Sequence, residues 1–157
     1  MFIELEPVFN NIGEKKEFNY EFVLADSGIK EPAKVSGLVE NRAGVVTLTA
    51  DVRLDYVASC DRCLRDVPQS LNRQFTHVLT RSLQNEENDE LILVEDMHFD
   101  LDELLREDIL LSLPTKVLCK SDCKGLCPIC GADLNNGPCG CKKPVDPRLA
   151  VLQDLLS

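Results

Sequence analysis

Between residues 44 and 59, apolar and polar side chains alternate almost without a break. Val46, Leu48, Ala50, Val52, Leu54, Tyr56 and Ala58 fall on one side of an extended chain, and Thr47, Thr49, Asp51, Arg53 and Asp55 on the other. A period of two with one apolar side predicts a half-buried strand of an antiparallel sheet. Weaker forms of the pattern over 17–24, 33–40 and 67–81 predict further strands. Asn41-Arg42-Ala43-Gly44 is a plausible hairpin turn, and Cys60-Asp61-Arg62-Cys63 interrupts the pattern at a strand reversal. Residues 83–90 are polar and read as a loop; Leu91–Val94 reads as a short apolar strand.

The period then changes. Leu101, Leu104, Leu105, Ile109 and Leu111 or Leu113 recur at helical spacing, predicting a helix over 100–112. Asp100 followed by Glu103 resembles a capping box, and Pro114 stops the helix. From 115 to 145 there is no periodicity, only a composition of Cys, Gly, Pro, Lys and Asn that cannot build an apolar core and needs a staple. Asp146-Pro147 opens RLAVLQDLLS as a short C-terminal amphipathic helix. The expected fold class is α+β: an antiparallel sheet from 17–82 and 91–94, packed by one or two helices. A mainly β domain is expected over 1–114, and a Cys-rich, zinc-binding module over 115–157.

A length of 157 residues fits one compact domain with a small appended module. No run approaches the roughly 20 apolar residues of a membrane span, and MFIELEPVFNN lacks the regions of a signal peptide. The expectation is a soluble, cytoplasmic chain with no membrane partner. Seventeen Lys and Arg against 27 Asp and Glu give a formal charge of −10, which disfavours nucleic-acid binding by bulk electrostatics. The excess is local: residues 84–108 hold 11 acidic side chains and only Arg106 as a base, so the remainder balances at 16 against 16. Such a stretch is a solvated face or a docking surface for a basic protein. Around the later cysteines, Lys116, Lys120, Lys124, Lys142 and Lys143 outnumber Asp122 and Asp133.

The 8 cysteines fall into pairs: Cys60/Cys63, Cys119/Cys123, Cys127/Cys130 and Cys139/Cys141. Without a secretory signal, closely spaced pairs point to metal rather than disulfides. Cys127-Pro128-Ile129-Cys130-Gly131 has the spacing of a zinc knuckle, and Cys139-Gly140-Cys141 supplies two more thiolates. Four soft ligands suit tetrahedral zinc, so two structural ions are expected. Cys60/Cys63 would share the second site with Cys119/Cys123, although Cys60/Cys63 with Cys127/Cys130 satisfies the same spacing. One site plus free thiols, or an iron–sulfur cluster, uses the same ligands. The enzymatic alternative is a cytosolic thiol–disulfide protein using Cys60/Cys63, but that motif opens a helix in a βαβ setting, whereas strands flank it here. His77 and His98 stand alone at no catalytic spacing, and no phosphate-binding loop or nucleophile elbow is present.

Taken together, CDRCL before a strand, the acidic helix ending at Leu113-Pro114, CKSDCKGLCPICGADLN and the closing DPRLAVLQDLL resemble the bacterial YceD-like family, the large ribosomal RNA subunit accumulation proteins. The resemblance covers roughly residues 40–157. It implies a non-enzymatic role in synthesis, processing or stability of large-subunit ribosomal RNA. The implied partners are a large-subunit precursor, its RNA or a basic ribosomal protein. Relatives differ in cysteine content, some keeping mainly the pair at Cys60/Cys63, which implies that the site at Cys127, Cys130, Cys139 and Cys141 stabilises the fold. Two mechanisms follow. The acidic segment docks a basic ribosomal protein, or Arg62, Arg65 and the nearby lysines touch RNA phosphate.

Overall fold

The computed structural model describes residues 1–24, 28–82, 91–94 and 98–141. The expected loop at 83–90, the helix after Asp146, Lys142, Lys143 and the acidic side chains at 86–90, 95 and 96 lie outside the described residues. The alternating runs form strands, in chain order β1 (Phe2–Glu4), β2 (Lys15–Val23), β3 (Pro32–Arg42), β4 (Val45–Ser59), β5 (Asp66–Thr80), β6 (Leu91–Leu93) and β7 (His98–Asp100). Among the described residues two helices complete the α+β fold, α1 (Glu6–Asn10) and α2 (Leu101–Ser112).

A five-stranded sheet has the order β2-β3-β4-β5-β6, and β1 pairs antiparallel with β7. β2, β3 and β4 are antiparallel neighbours; β6 corrects the all-antiparallel expectation by running parallel to β5, with Val78 opposite Leu91. A short apolar run reports burial but not direction, so the alternation could not reveal this. The hairpin between β3 and β4 closes on Ala43 and Gly44, whose φ of 52° and 89° match the twist of the flanking strands. Buried Asn41 fixes that corner. Its Nδ2 donates to the Val8 carbonyl of α1 at 2.8 Å, and its Oδ1 accepts from the Gly44 amide at 3.0 Å.

The apolar side of β4 is buried as predicted from Val46 to Tyr56, with Ala58 half-buried. α2 contributes Leu101, Leu105 and Ile109 to the same core, with Leu104 and Leu113 packed at its margin. Leu111 is not part of it, being 87% exposed. The Asp100 side chain caps α2 by accepting from the Asp102 amide at 3.0 Å rather than through Glu103. His77 is not isolated: its Nε2 lies 2.7 Å from an Asp108 carboxylate oxygen. Gly37 is required where it stands, since a Cβ would lie 2.1 Å from the Thr49 carbonyl oxygen and 2.7 Å from the Phe18 ring. No helix among the described residues is long and apolar enough to cross a membrane.

The chain divides into two compact units. Met1–Ala58 and Pro68–Thr115 form the first; Ser59–Val67 joins Lys116 onward in the second. The turn carrying Cys60 and Cys63 thus groups with the cysteine-rich segment, whereas the sequence reading assigned it to the domain 1–114.

Replacing fully buried Leu105 by Ala should destabilise the first unit by about 2–5 kcal/mol. Leu111→Ala should stay within about 0.5 kcal/mol of the parent. Urea unfolding followed by circular dichroism checks both, and equal losses would contradict this assignment of the α2 faces.

Candidate metal centres

Two turns of the same design begin the second unit's sites. In Cys60-Asp61-Arg62-Cys63-Leu64, the Leu64 amide donates to the Cys60 carbonyl at 2.9 Å, with Leu64 at φ 60°. In Cys127-Pro128-Ile129-Cys130-Gly131, the Gly131 amide donates to the Cys127 carbonyl at 2.9 Å, with Gly131 at φ 72°. Each turn presents both of its thiols on one side and aims backbone amides at sulfur. Ile129 N, for instance, lies 3.5 Å from Cys127 Sγ.

The pairing left open by the spacing is resolved. Cys60, Cys63, Cys119 and Cys123 form one cluster, and Cys127, Cys130, Cys139 and Cys141 another; within each, all four sulfur atoms lie within 4.8 Å of one another. Cys60 Sγ is 3.9 Å from Cys123 Sγ, and Cys63 Sγ is 3.5 Å from Cys119 Sγ. A disulfide would need about 2.05 Å. A tetrahedral ion with metal–sulfur bonds of about 2.3 Å separates its sulfurs by about 3.8 Å, so the donor sets fit such an ion. Among the described residues neither group includes a His, Asp or Glu. Both clusters could therefore hold a metal ion through cysteine alone.

The first cluster sits in a small core of its own, with Val67, Leu118 and Leu126 packed against Cys60, Cys63 and Cys123. Hydrogen bonds stitch its distant segments together: Asp61 N to Val117 O at 2.9 Å, Leu126 N to Arg62 O at 2.9 Å, and Val117 N to the Asp61 carboxylate at 2.7 Å. Arg62 donates to the Cys123 carbonyl at 2.6 Å, and Arg65 pairs with Asp133 at 3.2 Å. These arginines, read from sequence as contacts for phosphate, each have an internal partner while remaining exposed. Lys116 and Lys124 remain exposed, and Lys120 lies 3.9 Å from Asp122.

Three further residues belong to the site and escaped the sequence reading. Asn135 Nδ2 lies 3.4 Å from Cys123 Sγ, and its Oδ1 accepts from the Lys124 amide at 2.9 Å. Asp133 orients Asn135 through the latter's amide at 2.9 Å. Gly125, at φ 77°, lets the chain pass Arg62, whose carbonyl oxygen would be 2.8 Å from an added Cβ. The only sequence signal for them is the Asn- and Gly-rich composition between the cysteines.

Charge is distributed unequally among the thiols. Burial pushes Cys60 up, but the amides of Arg62, Cys119 and Cys63 outweigh it and bring the thiol down to about 6. The amides of Cys130 and Ile129 bring Cys127 down to about 6 as well. Cys119 is pushed up to about 12, mainly by its contact with Cys63, and Cys141 to about 12 by Cys130. Hydrogen-bond donors thus favour thiolate at Cys60 and, through Asn135 and the Gly125 amide, at Cys123 in the first cluster and at Cys127 in the second, and crowding by sulfur resists the last proton's loss. A divalent cation relieves that crowding by neutralising the thiolates.

In the metal-free chain, Cys60 and Cys127, two of the three lowered thiols, give up protons that an unfolded chain, with an ordinary value of 9.0, retains. The stability they contribute is present above pH 9 and is lost as pH falls through about 6. The thermal midpoint of chelator-treated protein should rise from pH 6 to 9; a flat profile would contradict the amide–sulfur geometry. Gly125→Ala should cost more than about 1 kcal/mol and weaken retention of metal by the first cluster. Leu64→Gly relieves a left-handed residue and should leave metal retention intact, as chelator competition would report.

No solved structure matches this chain. An uncharacterized protein of Mycobacterium tuberculosis is 33% identical over 122 residues, covering 75% of this chain and 59% of its own length. The uncharacterized protein YlbN of Bacillus subtilis is 30% identical over 148 residues, covering 91% of this chain and 86% of its own. A maize protein called large ribosomal RNA subunit accumulation protein YCED homolog 1, chloroplastic, is 30% identical over 145 residues and matches over 50% of its length. The chain thus spans little more than half of the mycobacterial relative. Residues 48–156 match the family model described as large ribosomal RNA subunit accumulation protein YceD, a match that takes in both cysteine clusters, and the chain belongs to the YceD family.

Proposed function

We propose that the chain is a non-enzymatic, cytoplasmic bacterial factor that supports synthesis, processing or stability of large-subunit ribosomal RNA, acting as a binding module stapled by two zinc ions. The observation that carries the reading is the pair of closed four-cysteine groups. Catalytic zinc keeps a position open for water and has a general base nearby, whereas four thiolates close the coordination sphere. The family description and the maize relative's name, both referring to accumulation of this RNA, support the ribosomal context.

Zinc is the ion favoured by all-thiolate tetrahedra, and when bound it supplies cross-linking and charge neutralisation rather than reactivity. The chain's own residues do the rest. Arg62 and Asn135 hold the Cys123 segment against the first turn, and Val67, Leu118 and Leu126 keep water from the sulfurs. Of the two docking mechanisms, the acidic one is favoured. Arg62 donates to the Cys123 carbonyl and Arg65 pairs with Asp133, so neither guanidinium is wholly free for phosphate.

Cys63→Ser removes one ligand of the first cluster. Elemental analysis should fall from about two zinc ions per chain to about one. Cells whose only copy carries the variant should accumulate less large-subunit RNA relative to small-subunit RNA. Full metal content and normal RNA in that strain would sink the reading, and a reversible Cys60–Cys63 disulfide with dithiol turnover would replace it by the redox one.

A further inference from the structure

On the first unit, a groove runs between β1, the short strands β6 and β7, and the outer side of α2. Phe2, Ile92, Phe99 and Leu104 give it apolar lining, and Asp100, Glu103 and Glu107 give it acidic lining. Phe2 is 69% exposed although it sits in a paired strand. Along α2, residues 103, 104, 107 and 111 follow helical spacing, so the groove's helical wall continues one turn on to Leu111. Leu111 is the most exposed large apolar side chain among the described residues. Leu104 to Leu111 spans about 10 Å of helix, enough for two anchors of a bound segment.

We propose that this groove is the docking site for a cationic polypeptide segment carrying apolar anchors. This deepens the protein-docking reading above and rests on it. The argument is one of complementarity. Apolar surface left exposed in a row with carboxylates beside it matches a segment in which Lys or Arg alternates with Leu, Ile or Phe. α2 carries Asp102, Glu103, Glu107 and Asp108 against Arg106 alone. Asp108 is engaged by His77, and Asp102 by the N-terminal amine, while the Glu103 and Glu107 carboxylates point to solvent. RNA would bring phosphate against that wall and is repelled. The apolar lining supplies adhesion; the carboxylates select sign and register.

The test uses the full chain and a fluorescent synthetic peptide of about 14 residues, Lys and Leu in helical alternation, read by anisotropy. The parent should bind, with affinity falling as salt rises. Glu103→Lys with Glu107→Lys should weaken binding by about tenfold or more, and Leu111→Ser by a few-fold. The charge-matched pair Glu14→Lys and Glu17→Lys, exposed on and beside β2, should bind as the parent does. All are exposed positions, and unchanged circular dichroism certifies the fold. No binding by the parent, equal loss in both charge-reversed variants, undiminished binding of a peptide with Leu replaced by Ser, or preference for an RNA oligonucleotide would each overturn the proposal. Ribosomal RNA levels in cells carrying Cys63→Ser test the functional reading separately. Groove binding with normal RNA there discards the ribosomal role and keeps the surface, and RNA loss without peptide binding does the reverse.

Discussion

Everything in the second unit depends on bringing together two short segments separated by more than fifty residues, the turn at 59–67 and the chain after Lys116. Among the described residues the apolar material packed around this junction is slight: Val67, Leu118 and Leu126 around three buried cysteines. Such a core cannot by itself offset the conformational entropy of ordering the unit. Convergence of four thiols from both segments can supply the missing constraint, because an ion held there would cross-link positions that burial alone would hold weakly. The hydrogen bonds from Arg62 and Asn135 then act on a geometry already closed, setting which sulfur carries charge.

The first unit solves the opposite problem with ordinary means. Alternation on β4 and the three-turn face of α2 bury a continuous aliphatic core, and Asn41 satisfies the one buried polar side chain among the described residues. Its sheet grows by antiparallel neighbours and ends in a three-residue parallel edge at β6. A short edge offers little free backbone for unwanted pairing. What the unit leaves exposed is side-chain surface on α2, beside carboxylates.

How far the sequence revealed this depended on range. The strand around Leu48 and the helix around Leu105 declare themselves because each repeats its own period over ten or more residues. β1, α1 and β7 escaped, since three to five residues cannot display a period. The cysteines announced metal chemistry through local spacing, yet which pair meets which is a long-range fact that identical spacings cannot encode. Arg62 and Arg65 show the same limit: charge counts record that a cation exists, not that Cys123 and Asp133 pair with it. Asn135 and Gly125 carried no signal beyond composition, because their roles exist only once the chain has folded back.

The separation of Cys63 from its neighbour Cys119, 56 residues later, also imposes an order in time. At a synthesis rate of about 5–20 residues per second, the first turn is made roughly 3–11 s before its partners are. During that interval Cys60 and Cys63 are a half-site. The second cluster has no such wait, since Cys127 and Cys141 lie within fifteen residues of one another. A nascent chain of this sequence thus completes its local cluster almost as soon as it is made, while the first turn must persist through the synthesis of β5, β6, β7 and α2 before it is captured.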